Sequence, residues 1–217
     1  MLMILCGKSG SGKDAIQTKL ERYGYHRLVS YTTRPMRENE KNGVTYNFVS
    51  KDQFLKMMES DQLIEWRSYN TLVNGVEDTW YYGLKKTSLC SYITYTVILD
   101  IEGAKEAVRY YGADKCFVVY VDVPDDTRKE RAVQRGSFDE TEWNRRLEDD
   151  NIKFADSELE GLVNYRVSNT GKLHWTLHKI IHHYIAYPCF QKEVCAKLDD
   201  VNSRLTKIED KLIEIQK

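Results

Sequence analysis

The chain has 217 residues, with 32 basic and 33 acidic side chains and a net charge of -1. That is long enough for one domain with a real core plus an appendage, and it lacks the basic excess that nucleic acid draws. Its five cysteines (Cys6, Cys90, Cys116, Cys189 and Cys195) are scattered and contain no CxxC pair, and no apolar run approaches membrane-spanning length. A zinc cluster and a disulfide framework are therefore not indicated; the expected setting is the reducing cytoplasm, with neither nucleic acid nor membrane as partner.

Along the chain, the apolar run Leu2-Met3-Ile4-Leu5-Cys6 reads as a buried strand, with the Cys6 thiol enclosed and inert. Gly7-Lys8-Ser9-Gly10-Ser11-Gly12-Lys13 follows at once. Glycines admit positive φ and let backbone N–H groups crowd around phosphate oxygens. A helix starting behind them adds its dipole, and Lys13 adds a point charge for the β- and γ-phosphates of a nucleotide. Gly7, Ser9, Gly10, Ser11, Gly12 and Lys13 are thus the candidate ATP-phosphate cradle. Asp14 follows, where the pattern ordinarily has a hydroxyl for Mg²⁺. A carboxylate can ligate Mg²⁺, hold it through water, or cap the helix. Ile16, Leu20 and Tyr23 predict the apolar face of that helix, and Gly24 its stop.

Further β-rich runs are His26 to Ser30, Thr94 to Ile101, Cys116 to Val123 and Val163 to Ser168, mostly separated by helical patterns. The expected fold is α/β, a parallel sheet flanked by helices with ligands at the strand C-terminal rim. Residues 31–84, rich in Tyr, Asn and charge, read as an insertion of strands and loops. Residues 125–153 read as exposed, movable helices carrying Arg128, Arg131, Arg135, Arg145 and Arg146. His174, His178 and His182 recur at i, i+4, i+8, a spacing that can hold a metal. They also border the stripe Leu173, Leu177, Ile181, Tyr184, and the reading preferred is a polar edge.

Near the C-terminus Val194, Leu198, Val201, Leu205, Ile208, Leu212 and Ile215 alternate four and three apart. This is a coiled-coil seam with Leu at a and Val or Ile at d, a pattern leaning to trimers or tetramers. The competing reading is a helix folded back on its own domain; the narrow stripe favours a homo-oligomer. The expected division is a domain over 1–190 and an oligomerisation helix over 191–217.

A kinase needs an acceptor site as well as a donor cradle. In Ser30-Tyr31-Thr32-Thr33-Arg34-Pro35-Met36-Arg37, Arg34 and Arg37 can fork onto one dianionic phosphate. In Asn42-Gly43-Val44-Thr45-Tyr46-Asn47-Phe48-Val49, Tyr46 can add a phenolic hydroxyl. With these two motifs, "TTRxxR" and "NGVxYxF", the sequence resembles the guanylate kinase family. The resemblance runs over roughly residues 1–185. Its later anchors are Leu63-Ile64-Glu65-Trp66, Tyr81-Tyr82-Gly83, Ile98-Leu99-Asp100-Ile101, Arg131 to Gly136 and Asn144 to Leu147.

The resemblance implies a P-loop kinase fold with an inserted GMP-binding subdomain over about 31–84 and a helical lid over about 125–153. It implies transfer of the γ-phosphoryl group of ATP onto GMP or dGMP, with Mg²⁺. Ser30 and Glu65 would read guanine, while Arg34, Arg37, Tyr46 and Tyr82 would hold the GMP phosphate. Asp100 would lie near the acceptor and, with Asp14, the metal. Lys13, Arg131, Arg135 and Arg146 would act on the migrating phosphoryl group, and Asn169 would lie near adenine. Three departures stand out. Leu84 replaces a base-reading hydroxyl, the loop Asn70 to Trp80 is long, and the usual "DIDxQG" is shortened to Asp100-Ile101-Glu102-Gly103. They keep open a nucleoside monophosphate kinase of altered, relaxed base specificity. A catalytically silent, phosphopeptide-binding scaffold is the other rival, against which the intact cradle argues.

Overall fold

A computed structural model of the chain describes residues 1–215 apart from 39, 74, 75, 135 and 137, and side chains outside 71–73, 76, 189, 193 and 209–215. The elements begin β1 (Leu2–Cys6), α1 (Lys13–Glu21), β2 (His26–Arg27), β3 (Tyr31–Thr32), β4 (Asn47–Phe48), α2 (Lys51–Glu59). They continue β5 (Leu63–Val73), β6 (Val76–Lys85), β7 (Tyr95–Ile98), α3 (Ile101–Tyr111), β8 (Cys116–Asp122), α4 (Asp125–Gln134). The last are α5 (Glu140–Lys153), α6 (Asp156–Leu159), β9 (Tyr165–Ser168), α7 (Leu173–Ile185) and α8 (Pro188–Ile215).

The central sheet has the order β2-β7-β1-β8-β9, and all its pairings are parallel. β1 lies between β7 and β8, with Ile4 opposite Val97 on one side and Val118 on the other. Strand alternation divides the core. Leu2, Ile4, Val118 and Tyr120 pack with Ala104 and Ala107 of α3 on one face. Met3, Leu5 and Val119 pack with Ile16 and Leu20 of α1 and Leu177 and Ile180 of α7 on the other. With both faces covered, β1 is buried throughout, as a doubly flanked parallel strand requires. This is the expected α/β architecture, and it brings the turn after β1 to the C-terminal rim.

The insertion forms a second sheet in the order β4-β3-β6-β5. It also contains a helix, α2, that the sequence reading of strands and loops left out. Its capping box is complete: Ser50 Oγ accepts from Gln53 N–H, and Gln53 Oε1 accepts from Ser50 N–H. Phe54 and Met57 then close a small core with Leu63. The long loop expected at Asn70 to Trp80 is instead largely strand. β5 and β6 stay paired from Glu65↔Leu84 out to Val73↔Val76, because ladder hydrogen bonds satisfy a backbone that a loop would leave to water.

Two helices also differ from expectation. α1 ends at Glu21, so Tyr23 lies beyond it and is 58% exposed. Gln17 takes the buried place, donating from Nε2 to the Thr96 carbonyl at 3.1 Å. On α7, Leu177, Ile180 and Tyr184 are buried while His174, His178 and His182 are exposed. No cluster of three metal-ligating side chains occurs among the described residues.

α8 is one helix of 28 residues. It is tied to the domain near its start, where Phe190 packs on Tyr184 and Lys197 lies over the Tyr92 ring. The seam residues Val194, Leu198, Val201, Leu205 and Ile208 remain 37–56% exposed. Among the described residues no helix is long and apolar enough to cross a membrane.

Candidate active site

Backbone geometry builds the donor loop. Gly12 (φ 92) is the N-cap of α1, and a Cβ there would stand 2.6 Å from Asn169 Nδ2. Gly7 (φ 151) passes Val121 just as closely, 2.6 Å from its carbonyl oxygen to a built Cβ. Neither position admits a side chain. Lys13 Nζ donates to the Gly7 carbonyl at 2.6 Å and the Lys8 carbonyl at 3.1 Å. Burial lowers its pKa, opposed by the carboxylates of Asp14 and Asp150. Burial likewise pushes the Cys6 thiol up to about 12, so it stays protonated and inert.

Lid residues already grip this loop. Asp150 Oδ2 on α5 accepts the Ser9 N–H at 2.8 Å, taking an oxygen's place on the cradle. Arg128 on α4 is 0% exposed and donates to both the Ser9 carbonyl and Asp150. It is a structural arginine, stacked near Trp143. Arg131 donates to the Asn169 carbonyl at 2.6 Å and reaches the Gly10 and Ser11 carbonyls at 3.4 Å. Asn169, expected beside adenine, is committed under the loop: Nδ2 donates to the Ser11 carbonyl and Oδ1 accepts from Thr176. Arg145 and Arg146 share Glu142, and these hydrogen bonds hold its carboxyl down at about 2. Arg135 lies outside the described residues.

A cleft of about 1250 Å³ joins the donor loop to the insertion. Gly7, Ser9 and Lys13 line one end; Ser30, Arg37, Tyr46, Glu65 and Tyr82 line the other, and Arg145 and Arg146 overhang it. Strand alternation puts Glu65, Arg67 and Tyr69 on one face of β5, and the cleft takes all three. Glu65 is 8% exposed, and burial lifts its carboxyl to about 7 against the pull of Arg67. Tyr46 and Tyr82 meet edge to face at 5.8 Å, and burial holds the Tyr46 phenol up at about 12. It is a hydroxyl donor throughout the neutral range.

The arginine pair is split. Arg37 is exposed and lines the cleft, whereas Arg34 is 5% exposed and absent from its lining. Arg34 is turned to Glu40 (Nη2 to Oε1, 2.7 Å) and lies behind the Tyr46 ring. Glu40 also accepts the Arg37 N–H at 2.9 Å, so one carboxylate ties both arginines to the same turn.

The two expected metal residues also differ. Asp100 caps α3, accepting Gly103 N–H on Oδ1 at 2.8 Å, and faces Arg67 on Oδ2 at 3.7 Å. Asp14 is exposed in the first turn of α1, where no side chain caps the helix. Mg²⁺ keeps several waters and needs only one or two carboxylates when phosphates supply the rest. Asp14 fits that demand better than the engaged Asp100. Arg67, Tyr69, Asp150 and Lys153 are cleft residues that sequence reasoning missed. Arg67 was findable, two residues beyond Glu65 on a strand; Asp150 had no signal beyond a charged helix.

The model of the guanylate kinase family matches residues 1–182. A curated relative, guanylate kinase 2, chloroplastic/mitochondrial, of Oryza sativa subsp. japonica, is 33% identical over 141 residues. That alignment covers 62% of this chain and only 47% of the relative. The crystal structure of guanylate kinase from Anaplasma phagocytophilum shares the fold, with a TM-score of 0.58 at 18% identity over 87% of this chain and 88% of that one. With the family match spanning the sheet, the glycine loop, the insertion and the lid, this chain belongs to the guanylate kinase family.

Proposed function

We propose that the protein transfers the γ-phosphoryl group of ATP onto GMP or dGMP. One observation carries the reading: the glycine loop and the Arg37–Tyr46–Glu65–Tyr82 wall open into the same cleft. A donor at the loop and an acceptor at the wall would face each other with their phosphates between. Phosphoryl transfer asks a protein for alignment and positive charge on the equatorial oxygens. Lys13 supplies that charge at the loop, and Arg131, Arg145 and Arg146 supply it from the lid side once they exchange their present partners for phosphate. Lid closure also excludes water, the competing acceptor. Arg37 and the Tyr46 hydroxyl would hold the GMP phosphate, with Arg34 positioning Tyr46 from behind. Ionised Glu65 would accept from guanine N1–H and N2–H₂.

ATP is expected to come with Mg²⁺, which would supply positive charge to the phosphates. Asp14 would hold it, directly or through water. The test is ADP release with GMP, dGMP, AMP, UMP and CMP in turn. Turnover should be greatest with GMP or dGMP; none with any of the five, from folded protein, would overturn the reading. A broader base range remains the second reading, favoured by Leu84, which is 2% exposed in the apolar core and offers no hydroxyl.

We also propose that residues 1–190 act as the kinase unit and 191–217 as a self-association helix, working in a reducing aqueous compartment such as the cytoplasm. The occupant of the exposed seam would be the same helix from further copies, in a trimer or tetramer. The heptad spacing supports this, as does Arg204 at g with Glu209 at the e position that faces it in a parallel pair.

A further inference from the structure

The acceptor wall lacks one expected group and holds one unexpected group. Leu84 brings no hydroxyl, while Arg67, opposite Tyr82 in the β5–β6 ladder, projects into the cleft beside Glu65. Its Nη1 stands 3.8 Å from Glu65 Oε2 and its Nε 3.7 Å from Asp100 Oδ2. Both separations exceed a hydrogen bond. Among the described residues its guanidinium makes one, from Nη1 to the Trp66 carbonyl at 2.6 Å. A buried acceptor and a guanidinium donor therefore stand side by side without satisfying each other.

We propose that Arg67 is a specificity-determining residue that reads the 6-oxo group of the acceptor purine. It would replace the hydroxyl missing at Leu84. The inference rests on reading this cleft as the GMP site. A 6-oxopurine presents a carbonyl next to an N–H, the complement of Arg67 next to Glu65. Adenine reverses both, presenting an amino donor to the guanidinium and a bare N1 to the carboxylate. Selection then works by attraction and by mismatch together. Arg–carbonyl recognition of guanine is a common protein contact in nucleic-acid complexes. Asp100 adds a second carboxylate near the guanidinium, 3.7 Å from its Nε, and contact with a base would draw Nη1 away from the Trp66 carbonyl.

The test compares GMP with 6-thio-GMP, which keeps N1–H and the 2-amino group but carries sulfur, a weak acceptor, at position 6. Wild type should prefer GMP by about 10- to 100-fold in kcat/KM, the size of one hydrogen bond to a charged group. Arg67→Met and Arg67→Gln should each lose GMP efficiency while handling 6-thio-GMP nearly as before. The preference should shrink to within about threefold for Met and stay partial for Gln, a weaker donor. A loss shared equally by both nucleotides would mean that Arg67 only holds Glu65 and Asp100 in place, and would overturn the proposal. So would a wild type indifferent to the sulfur. Calorimetric binding of the two nucleotides without ATP reads the same ratio. Intact, Arg67-dependent selective binding without turnover would count against phosphoryl transfer alone; turnover with an Arg67-independent ratio would count against this inference alone.

Discussion

The two ends of the cleft are made differently. At the donor end the positions are set by backbone: glycines where a Cβ would strike Val121 or Asn169, and loop carbonyls and N–H groups that hold Lys13, Arg131 and Asp150. At the acceptor end they are set by side chains from four separate strands and loops, two of them pushed off their ordinary pKa by burial. The donor end is therefore pre-wired through its own backbone. The acceptor end holds a buried carboxyl and a buried phenol, which the proposed base and phosphate would engage. Binding there should depend on pH and on single side chains, while the donor loop should depend on one lysine and the loop's shape.

The largest expected effect breaks the donor end. Lys13→Ala should lower kcat by about 100- to 1000-fold, as removing one charged stabiliser of a transition state does. GMP binding, measured without ATP, should change less than threefold. An equal loss of GMP affinity would show that the two ends are not separable. Asp150→Ala should destabilise the fold by about 3 kcal/mol, because it leaves Arg128 buried beside a lost partner. A denaturant midpoint unchanged from wild type would mean that Asp125 alone satisfies Arg128.

Arg37→Ala should raise the GMP KM by about 10- to 100-fold through loss of a charged phosphate contact. Its effect on the ATP KM should be small, the mirror of the lysine variant. The burial of Glu65 gives a gentler handle. Its pKa near 7 means the carboxylate that accepts from guanine forms as pH rises. GMP affinity should rise about tenfold between pH 6 and pH 8 from this group. The GMP phosphate titrates near pH 6 in any variant, so the difference between wild type and Glu65→Gln isolates the carboxyl. Matching profiles would place Glu65 outside recognition. The smallest effect should come from truncation after Phe190, leaving kcat per chain within about twofold while sedimentation shows monomers in place of the wild-type oligomer. A truncated protein that stays oligomeric would move the interface into the domain.

How much was legible follows the same division. The donor loop could be read because its chemistry is local: seven consecutive residues state the turn, and the apolar run before them states the strand. The core strands could be read from apolar runs, since burial on both faces leaves no polar alternation to interpret. The acceptor wall was legible only where a motif marked it. Arg67 and Tyr69 matter because β5 alternation aims them into the cleft, and a continuous β5 was not expected there. The sequence did carry a signal for it, Asn74-Gly75 between two strand-like runs, the commonest hairpin pair. The Glu40 partner of Arg34 was missed because pairing across a turn is invisible in a motif that counts only arginines. Asp150 and Arg128 looked like ordinary helix charges; only packing against the loop buries both and makes Asp150 the acceptor of a backbone N–H.

That contact between Asp150 and Ser9 N–H has a consequence for traffic through the donor site. A carboxylate on the lid is tethered to the loop it bonds, so its effective concentration there is far above that of any free anion. Nucleotide arrival would then be an exchange of one anion for another, and departure would be assisted by a competitor already at hand. On the proposed function, part of the intrinsic affinity of the loop would go into evicting Asp150, which would weaken ATP and ADP alike. An enzyme whose turnover waits on product release would gain from that arrangement, and Asp150→Asn should show it as tighter ADP binding, with faster association and slower dissociation.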